Sequence, residues 1–459
     1  MGPSPRWLTG LAAVVVAACG PGQDSSPVDA SPVTPPVSVV GEPIGLPPDD
    51  AEPTAVVRAL VDGFGSDLGP ELVAPVIASG DPGVAWVLAD LLRFYRMGSP
   101  SADALTEGLE HLGVPIDPGR SWVSAIDHLI ASGVPAPQGY RAVKVAILGA
   151  VDQRWATLFE DPVLADLRLI GWGGVFMDDR PLGDRGACRD RGCIPALDFP
   201  EVTEVVDGAW YGAERLILGV VVEGQARAYP LHQMEVHEMV NDTLGGRRIA
   251  VPYCTLCGSG QAYYTDRVLV GDGEVDLEDP LVLRTSGLLS RSNKVMYDLA
   301  SGSIIDTFTG EAVTGTLAGD GVELIPISVR VTTWGQWREV HPTTTIVAAD
   351  GGVGRIYPDD PLAGRDDAGP IFPIGDVDQR LGVHDVVVGA VSRSGIPVAF
   401  PVVALSALAD GEVAEHAGLT AVSDGAGWVV SDAQGELPSH QSFWFAWSQF
   451  RPTTQVWPG

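Results

Sequence analysis

Two parts of this chain repeat one another, and the repetition constrains the fold more than any other feature. Residues 224–231 read GQARAYPL and residues 395–402 read GIPVAFPV. Further on, residues 334–347 read WGQWREVHPTTTIV and residues 444–457 read WFAWSQFRPTTQVW. The shared forms are G-x-x-x-A-[YF]-P and W-x-x-W-x-x-[VF]-x-P-T-T. Trp334, Trp337 and Val340 recur at helical spacing, as do Trp444, Trp447 and Phe450, which predicts paired core anchors rather than an aromatic ligand box. The apolar runs around these motifs are short and broken by Gly and Asp, as in RLILGVVVEGQARAYP, which reads as two strands around a Glu223-Gly224 turn. The expected fold is therefore α+β: a duplicated, mostly antiparallel β-rich domain, with a first half over 166–348 and a shortened second half over 349–459.

The repeat also serves as an internal control. Running the copies forward from the shared Pro without gaps sets His232 against Val403, His237 against Leu408 and Glu238 against Ala409, and the second copy has no cysteine. A fold that forms without these polar residues does not need them, so they are candidates for chemistry.

Ahead of the repeat, 53–165 reads as a module of amphipathic helices with polar starts and Gly stops, such as SADALTEGLEHLG and SWVSAIDHLIASG. Such a module offers a surface for a protein partner. Residues 1–18 combine Arg6, an apolar stretch too short to span a bilayer, and small residues before Cys19. The boundary VAAC resembles the lipobox of bacterial lipoproteins, which implies acylation of Cys19 and a lipid bilayer as partner. Residues 19–52, rich in Pro, Ser and Asp, read as a tether. The expected location is the cell envelope, lipid-anchored, and the outer membrane in a cell that has one, facing the periplasm or the exterior. A net charge of −31 argues against nucleic acid as a partner. Only two lysines occur, Lys144 and Lys294.

In an oxidising space the five cysteines gain weight. VPYCTLCGSG sets Cys254 and Cys257 at the end of an apolar run, where both sulfurs can aim at one point. Just upstream, LHQMEVHEMVNDTLGG reads as a helix of about three turns carrying His232, His237, Glu238, Asn241 and Asp242. On it His237 and Asn241 share a face, as do Glu238 and Asp242, whereas His232 sits about 140° from His237. Thiolates beside imidazole suit copper or zinc. The expected ligands are Cys254, Cys257, His237 and His232, with Asn241, Asp242 and Met296 supporting them and Glu238 as a catalytic acid or base. Two rival readings stay open: a C-x-x-C dithiol that exchanges with disulfides, and a plain structural bridge. Cys188 and Cys193, in ACRDRGC, read as a loop disulfide, or more weakly as half of a four-cysteine zinc site with the C-x-x-C pair. H-E-x-x-H fails because position 241 is Asn. Ser259 lacks the full nucleophile-elbow pattern, since Cys257 stands two residues before it. Asp359, Asp360, Asp366 and Asp367 read as a solvated acidic loop.

The segments ARAYPL, HEMVND, PYCTLCGSG, SGLLSRSNKVMYD, the HP-TT run and FWFAWSQFRP, in that order, resemble the domain of unknown function 3179 family of bacteria and archaea. The similarity runs from about residue 171 to 459. The family carries no established reaction, so the resemblance implies membership rather than mechanism. The family's expected glycine-rich opening is interrupted here by the insertion that holds Cys188 and Cys193. The sequence favours a lipid-anchored extracytoplasmic protein with a Cys/His metal centre, copper before zinc, in metal handling or a redox step. Whether it turns over a substrate stays open, the alternatives being a C-x-x-C thiol–disulfide oxidoreductase and a non-catalytic surface module with structural disulfides.

Overall fold

A computed structural model describes residues 51–186, 188, 192–365, 369–409 and 411–458. The expected signal peptide, Cys19, nearly all of the tether, and Asp366 and Asp367 lie outside the described residues.

The N-terminal part is a cluster of helices: Ala55–Asp62, Pro70–Ile77, Val84–Leu92, Pro100–His111, Ser121–Ser132 and Tyr140–Val151, with a short turn of helix at Gln153–Ala156. Val84–Leu92 is buried at every residue, with Pro100–His111, Ser121–Ser132 and Tyr140–Val151 packed against it. Its one charged residue, Asp90, is held by Lys144 at 2.5 Å and by the Tyr140 hydroxyl at 2.6 Å. The apolar core of this cluster continues without a break into Trp172, Leu288, Val295, Tyr297 and Ile304. Those residues belong to an antiparallel sheet ordered Ile170–Trp172, Leu283–Ser290, Asn293–Asp298, Ile304–Asp306.

The duplication is visible as strand order. In the first copy Val329–Thr333 pairs antiparallel with Leu216–Val222, which pairs antiparallel with Gln225–Pro230, which pairs parallel with Thr345–Val347. In the second, Ser439–Phe443, Val386–Val391, Pro397–Pro401 and Gln455–Val456 follow the same order and senses. The helix Trp334–Val340 in one matches Trp444–Phe450 in the other. The Trp337 indole donates to Thr344 Oγ1 at 2.9 Å, and the Trp447 indole to Thr454 Oγ1 at 2.8 Å. All four tryptophans of the two W-x-x-W motifs are buried as expected, whereas Val340 is exposed and Phe450 half-buried, so the third position is not a core anchor. Each copy carries an insertion between its two helices. In the second it is a small antiparallel sheet, Ala414–His416 to Gly435–Glu436. In the first it is the larger sheet that carries the cysteines, with neighbours Ala262–Val270, Arg247–Cys254, Met239–Leu244 and Leu197–Asp198.

One element differs from expectation. The helix after Pro230 spans only Leu231–His237; Glu238 takes a left-handed conformation (φ 53°), and Met239–Leu244 is a strand. The Gly245-Gly246 pair, both with positive φ, is the turn of a hairpin rather than a helix stop. Asn241 and Asp242 therefore sit on a strand, and the shared helical faces expected for them do not form.

Candidate dithiol site

The strand Arg247–Cys254 brings Cys254 into the interior, and Cys254 pairs with Ser259 to close a tight turn around Cys257. Gly258 makes that turn with φ 55°, and a Cβ there would press on the Phe443 ring. The two cysteines are 1% and 0% exposed, and their sulfurs lie 3.0 Å apart as free thiols. Much of the apolar wall around them comes from the second copy: Phe445 and Trp447 pack in the same cluster, and the Phe443 N–H donates to Cys257 O at 2.8 Å. The half that lacks the cysteines thus helps to enclose them.

The opposite side is polar and comes from the Arg291-Ser292 turn and the strand that follows it. Ser292 O lies 3.7 Å from Cys254 Sγ and 3.5 Å from Cys257 Sγ, and Asn293 Oδ1 is 3.5 Å from Cys257 Sγ. Lys294 is buried, and its ammonium donates to the carbonyl oxygen of Glu238. Glu238 Oε1 accepts from the Thr255 hydroxyl at 2.9 Å, and Arg365 donates to the same hydroxyl oxygen at 3.1 Å. Two thiols, an amine and a carboxyl group therefore share one desolvated patch.

Burial dominates the electrostatics and the groups then act on each other. Burial opposes ionisation of Cys254, but the hydrogen bond from Cys257, the backbone N–H of Lys294 and the Lys294 charge outweigh it and hold this thiol below its ordinary value. Cys257 is pushed well up, by burial and by the charge of the neighbouring Cys254 to which it donates. Burial also pushes Lys294 down and Glu238 up, each partly restored by the other. The arrangement favours one thiolate, at Cys254, hydrogen-bonded by one thiol, at Cys257.

The other expected site residues are placed elsewhere. The structure does not bring His237 to the sulfurs: Nδ1 meets Pro195 O at 2.6 Å and Nε2 meets the Tyr357 hydroxyl at 2.7 Å. A carbonyl can only accept, so Nδ1 carries the hydrogen and Nε2 accepts from Tyr357. Burial pushes the His237 imidazole down to about 4. His232 stacks on Tyr211 with centroids 5.3 Å apart, and burial takes it to about 4 as well. Asn241 ties strands together through Asp198 Oδ1 (2.9 Å) and both backbone groups of Leu283. Asp242 holds Arg227 (2.6 Å) and the Tyr229 hydroxyl (2.8 Å). Met296 belongs to a different apolar cluster, with Met239 and Tyr263. Cys188 and Cys193 form a disulfide with Cα atoms 5.6 Å apart, which leaves them no part in a four-cysteine zinc site. Among the described residues, no group of three or more His, Cys, Asp or Glu side chains is arranged to hold a metal ion. Of the expected set, only Cys254, Cys257 and Glu238 come together.

Lys294, Asn293 and Ser292 belong to the site although no motif in the sequence gives them a role. The available signal was scarcity: a chain of 459 residues that keeps two lysines buries both against acceptor oxygens. Their motif, SRSNKVMYD, was recognised without a role.

A family model described as "Protein of unknown function (DUF3179)" matches residues 191–434, more than half of the chain, with Cys254, Cys257, Glu238 and Lys294 inside the match. No curated protein and no solved structure matches it.

Proposed function

We propose, for a chain that belongs to the DUF3179 family, that Cys254 and Cys257 form a two-electron thiol–disulfide centre. The observation that carries this reading is the 3.0 Å sulfur pair, with one thiol held below and the other well above its ordinary value beside Lys294. In the forward direction the Cys254 thiolate attacks one sulfur of a substrate disulfide, forming a mixed disulfide and expelling a thiolate. Cys257 gives up its proton to Glu238 or to the leaving thiolate and attacks Cys254 Sγ. The protein disulfide forms, the second substrate thiol leaves, and two electrons have passed to the substrate. Burial of both sulfurs restricts the partner to a small disulfide unless the surrounding loops open. We further propose that acylation of Cys19 anchors the protein in the cell envelope, where such a centre meets oxidants, and that the helical part is available to a protein partner.

The test is thiol counting by alkylation and mass spectrometry across a redox-buffer series. Counted on the peptide that carries residues 254–257, wild-type protein should pass between two thiols and an internal bridge, while Cys254→Ser and Cys257→Ser should each lack that bridge under every condition. Two thiols that stay reduced even in strongly oxidising buffer would sink the reading. A second reading keeps the thiophilic ion, since Ser292 O lies beside both sulfurs and Asn293 Oδ1 beside that of Cys257. Two sulfurs each about 2.3 Å from one zinc ion in tetrahedral geometry are about 3.8 Å apart, so this pair must open to hold zinc. Metal content of reduced protein, with the double Cys→Ser variant as control, separates the readings: one equivalent retained supports the ion, and none supports the dithiol.

A further inference from the structure

The helical cluster and the four-stranded sheet do not close completely against each other. Between them lies a partly open cavity of about 50 Å³, whose lining includes Arg93, Trp122, Ile126, Trp172, Arg291 and Phe372. The Arg93 guanidinium lies 4.5 Å from the Trp122 ring centroid, 4.9 Å from that of Trp172 and 5.9 Å from that of Phe372. Rings cover its faces, which fixes the plane of the fork and leaves its N–H edges for another partner. Arg291 comes from the hairpin turn between Leu283–Ser290 and Asn293–Asp298, where Arg291 (φ 46°) and Ser292 (φ 68°) are both left-handed without being glycine. That conformation costs about 1–2 kcal/mol per residue, so the turn is held against a local preference.

Neither guanidinium has an ion pair or a side-chain hydrogen bond among the described residues, and the Nε atom of each is buried without a partner. The other cations of the cavity wall are satisfied: Lys144 by Asp90, and Arg168 by Asp166 at 2.6 Å. Asp166 and Asp376 act on Arg291 only at longer range. In a chain of net charge −31, carboxylates are plentiful, yet none of those described is placed on either fork. Both side chains are half-buried with the Nε atom sealed from water, which is costly for a charge without an ion-pair partner, and burial lowers the Arg93 guanidinium to about 10. An anion in the cavity would relieve both.

The space and the walls narrow the anion. A water needs about 10–15 Å³ on this measure, so the cavity takes about three to five waters, or a head group of similar size. Beyond the two forks its lining is mostly apolar, and the polar side chains there are already engaged: Asp90 with Lys144, Arg168 with Asp166 and the Ser292 hydroxyl with Pro373 O. A phosphate or sulfate would leave oxygens facing hydrocarbon, whereas a carboxylate spends its two oxygens on the forks and turns its carbon end to the rings. We propose that this cavity binds a small organic monocarboxylate, its oxygens between Arg93 and Arg291 and its short apolar tail against the aromatic wall. The cavity adjoins the dithiol site through the Arg291-Ser292 turn, but the proposal does not rest on the thiol–disulfide reading.

The experiment is calorimetric titration of the full chain with butyrate, inorganic phosphate and sulfate at matched ionic strength, with tryptophan fluorescence followed in parallel. Butyrate should bind saturably below about 10 mM, and Arg93→Gln and Arg291→Gln should each weaken it by about tenfold or more. Should Arg93→Gln fail to fold, Arg93→Lys keeps the charge, loses the fork and should show the same weakening. No saturable butyrate binding by the folded wild type overturns the proposal, as does equal affinity in folded Arg93 and Arg291 variants. Phosphate or sulfate binding as tightly as butyrate overturns it too.

Discussion

Glu238 shows how much of the site turns on single residues. Its left-handed backbone ends the helix, a role that usually falls to glycine, and its N–H closes on Met234 O at 2.8 Å. The same turn points its carbonyl at Lys294 and its carboxyl at Thr255. Nothing in the letters HEMVND signals this, because Glu ordinarily continues a helix. Both Glu238→Gly and Glu238→Ala lose the carboxyl group, so glycine's freedom should give Glu238→Gly the higher thermal midpoint of the two. Differential scanning calorimetry on both variants checks this, and the reverse order would remove the strain argument. His237 was legible as a residue of interest but not in its role. Its folded value of about 4 lies below the ordinary 6.5 because burial disfavours the imidazolium. Its share of stability is complete above pH 6.5 and is lost as pH falls from there towards 4. His237→Gln removes that loss, so the advantage of wild type over the variant should shrink by about 2 kcal/mol between about pH 7.5 and about pH 5. Urea melts at the two values measure it, and an advantage that does not change with pH would contradict the buried neutral imidazole.

Elements were legible where the repeat spoke twice. The strand pair around Glu223-Gly224, the Trp helices and the strands after Pro-Thr-Thr all appear at the expected places, because two independent sequences solve the same packing problem. Between Pro230 and Gly246 only one copy carries the signal, and there the helix is shorter than the sequence suggests. No Gly or Pro interrupts the run from Leu231 to Leu244, but pairing with Arg247–Cys254 captures residues 239–244 into the sheet. The repeat also fixes a close contact that no motif announced. Gly219 and Gly389 occupy matching strand positions, and a Cβ at either would overlap the ring of Trp337 or Trp447. Gly219→Ala and Gly389→Ala should each cost about 1–3 kcal/mol through overpacking. Equilibrium denaturation reads this directly. A cost at Gly219 without one at Gly389 would mean that the two copies are not packed alike.

At the scale of the molecule, the sequence divides more sharply than the structure does. Composition changes near residue 165, which suggests a helical module followed by a β-rich one. The apolar core runs across that boundary: Trp155 stacks on Phe176 at 5.8 Å, Phe94 stacks on Trp172 at 5.6 Å, and the Trp155 indole donates to Ser286 O at 2.7 Å. The helices also reach the second copy, where Asp127 Oδ1 accepts from the backbone N–H groups of Ile374 and Gly375 at 2.8 and 2.7 Å. Such long-range partners leave no trace in local pattern, which is why the sequence could not announce them. A helical part with its own closed core would melt separately, whereas one that shares its core should melt with the rest. We therefore expect one transition, coincident by far-UV circular dichroism, which follows the helices, and by near-UV signal from the tryptophans of the repeat. Removing residues 53–165 should expose Trp172, Leu288, Val295 and Tyr297 together, leaving an apolar patch that single domains do not carry in water. The truncated chain should aggregate or bind a hydrophobic dye. A soluble, cooperatively folded fragment, or two separate transitions in the intact protein, would show that the helices are a separable module after all.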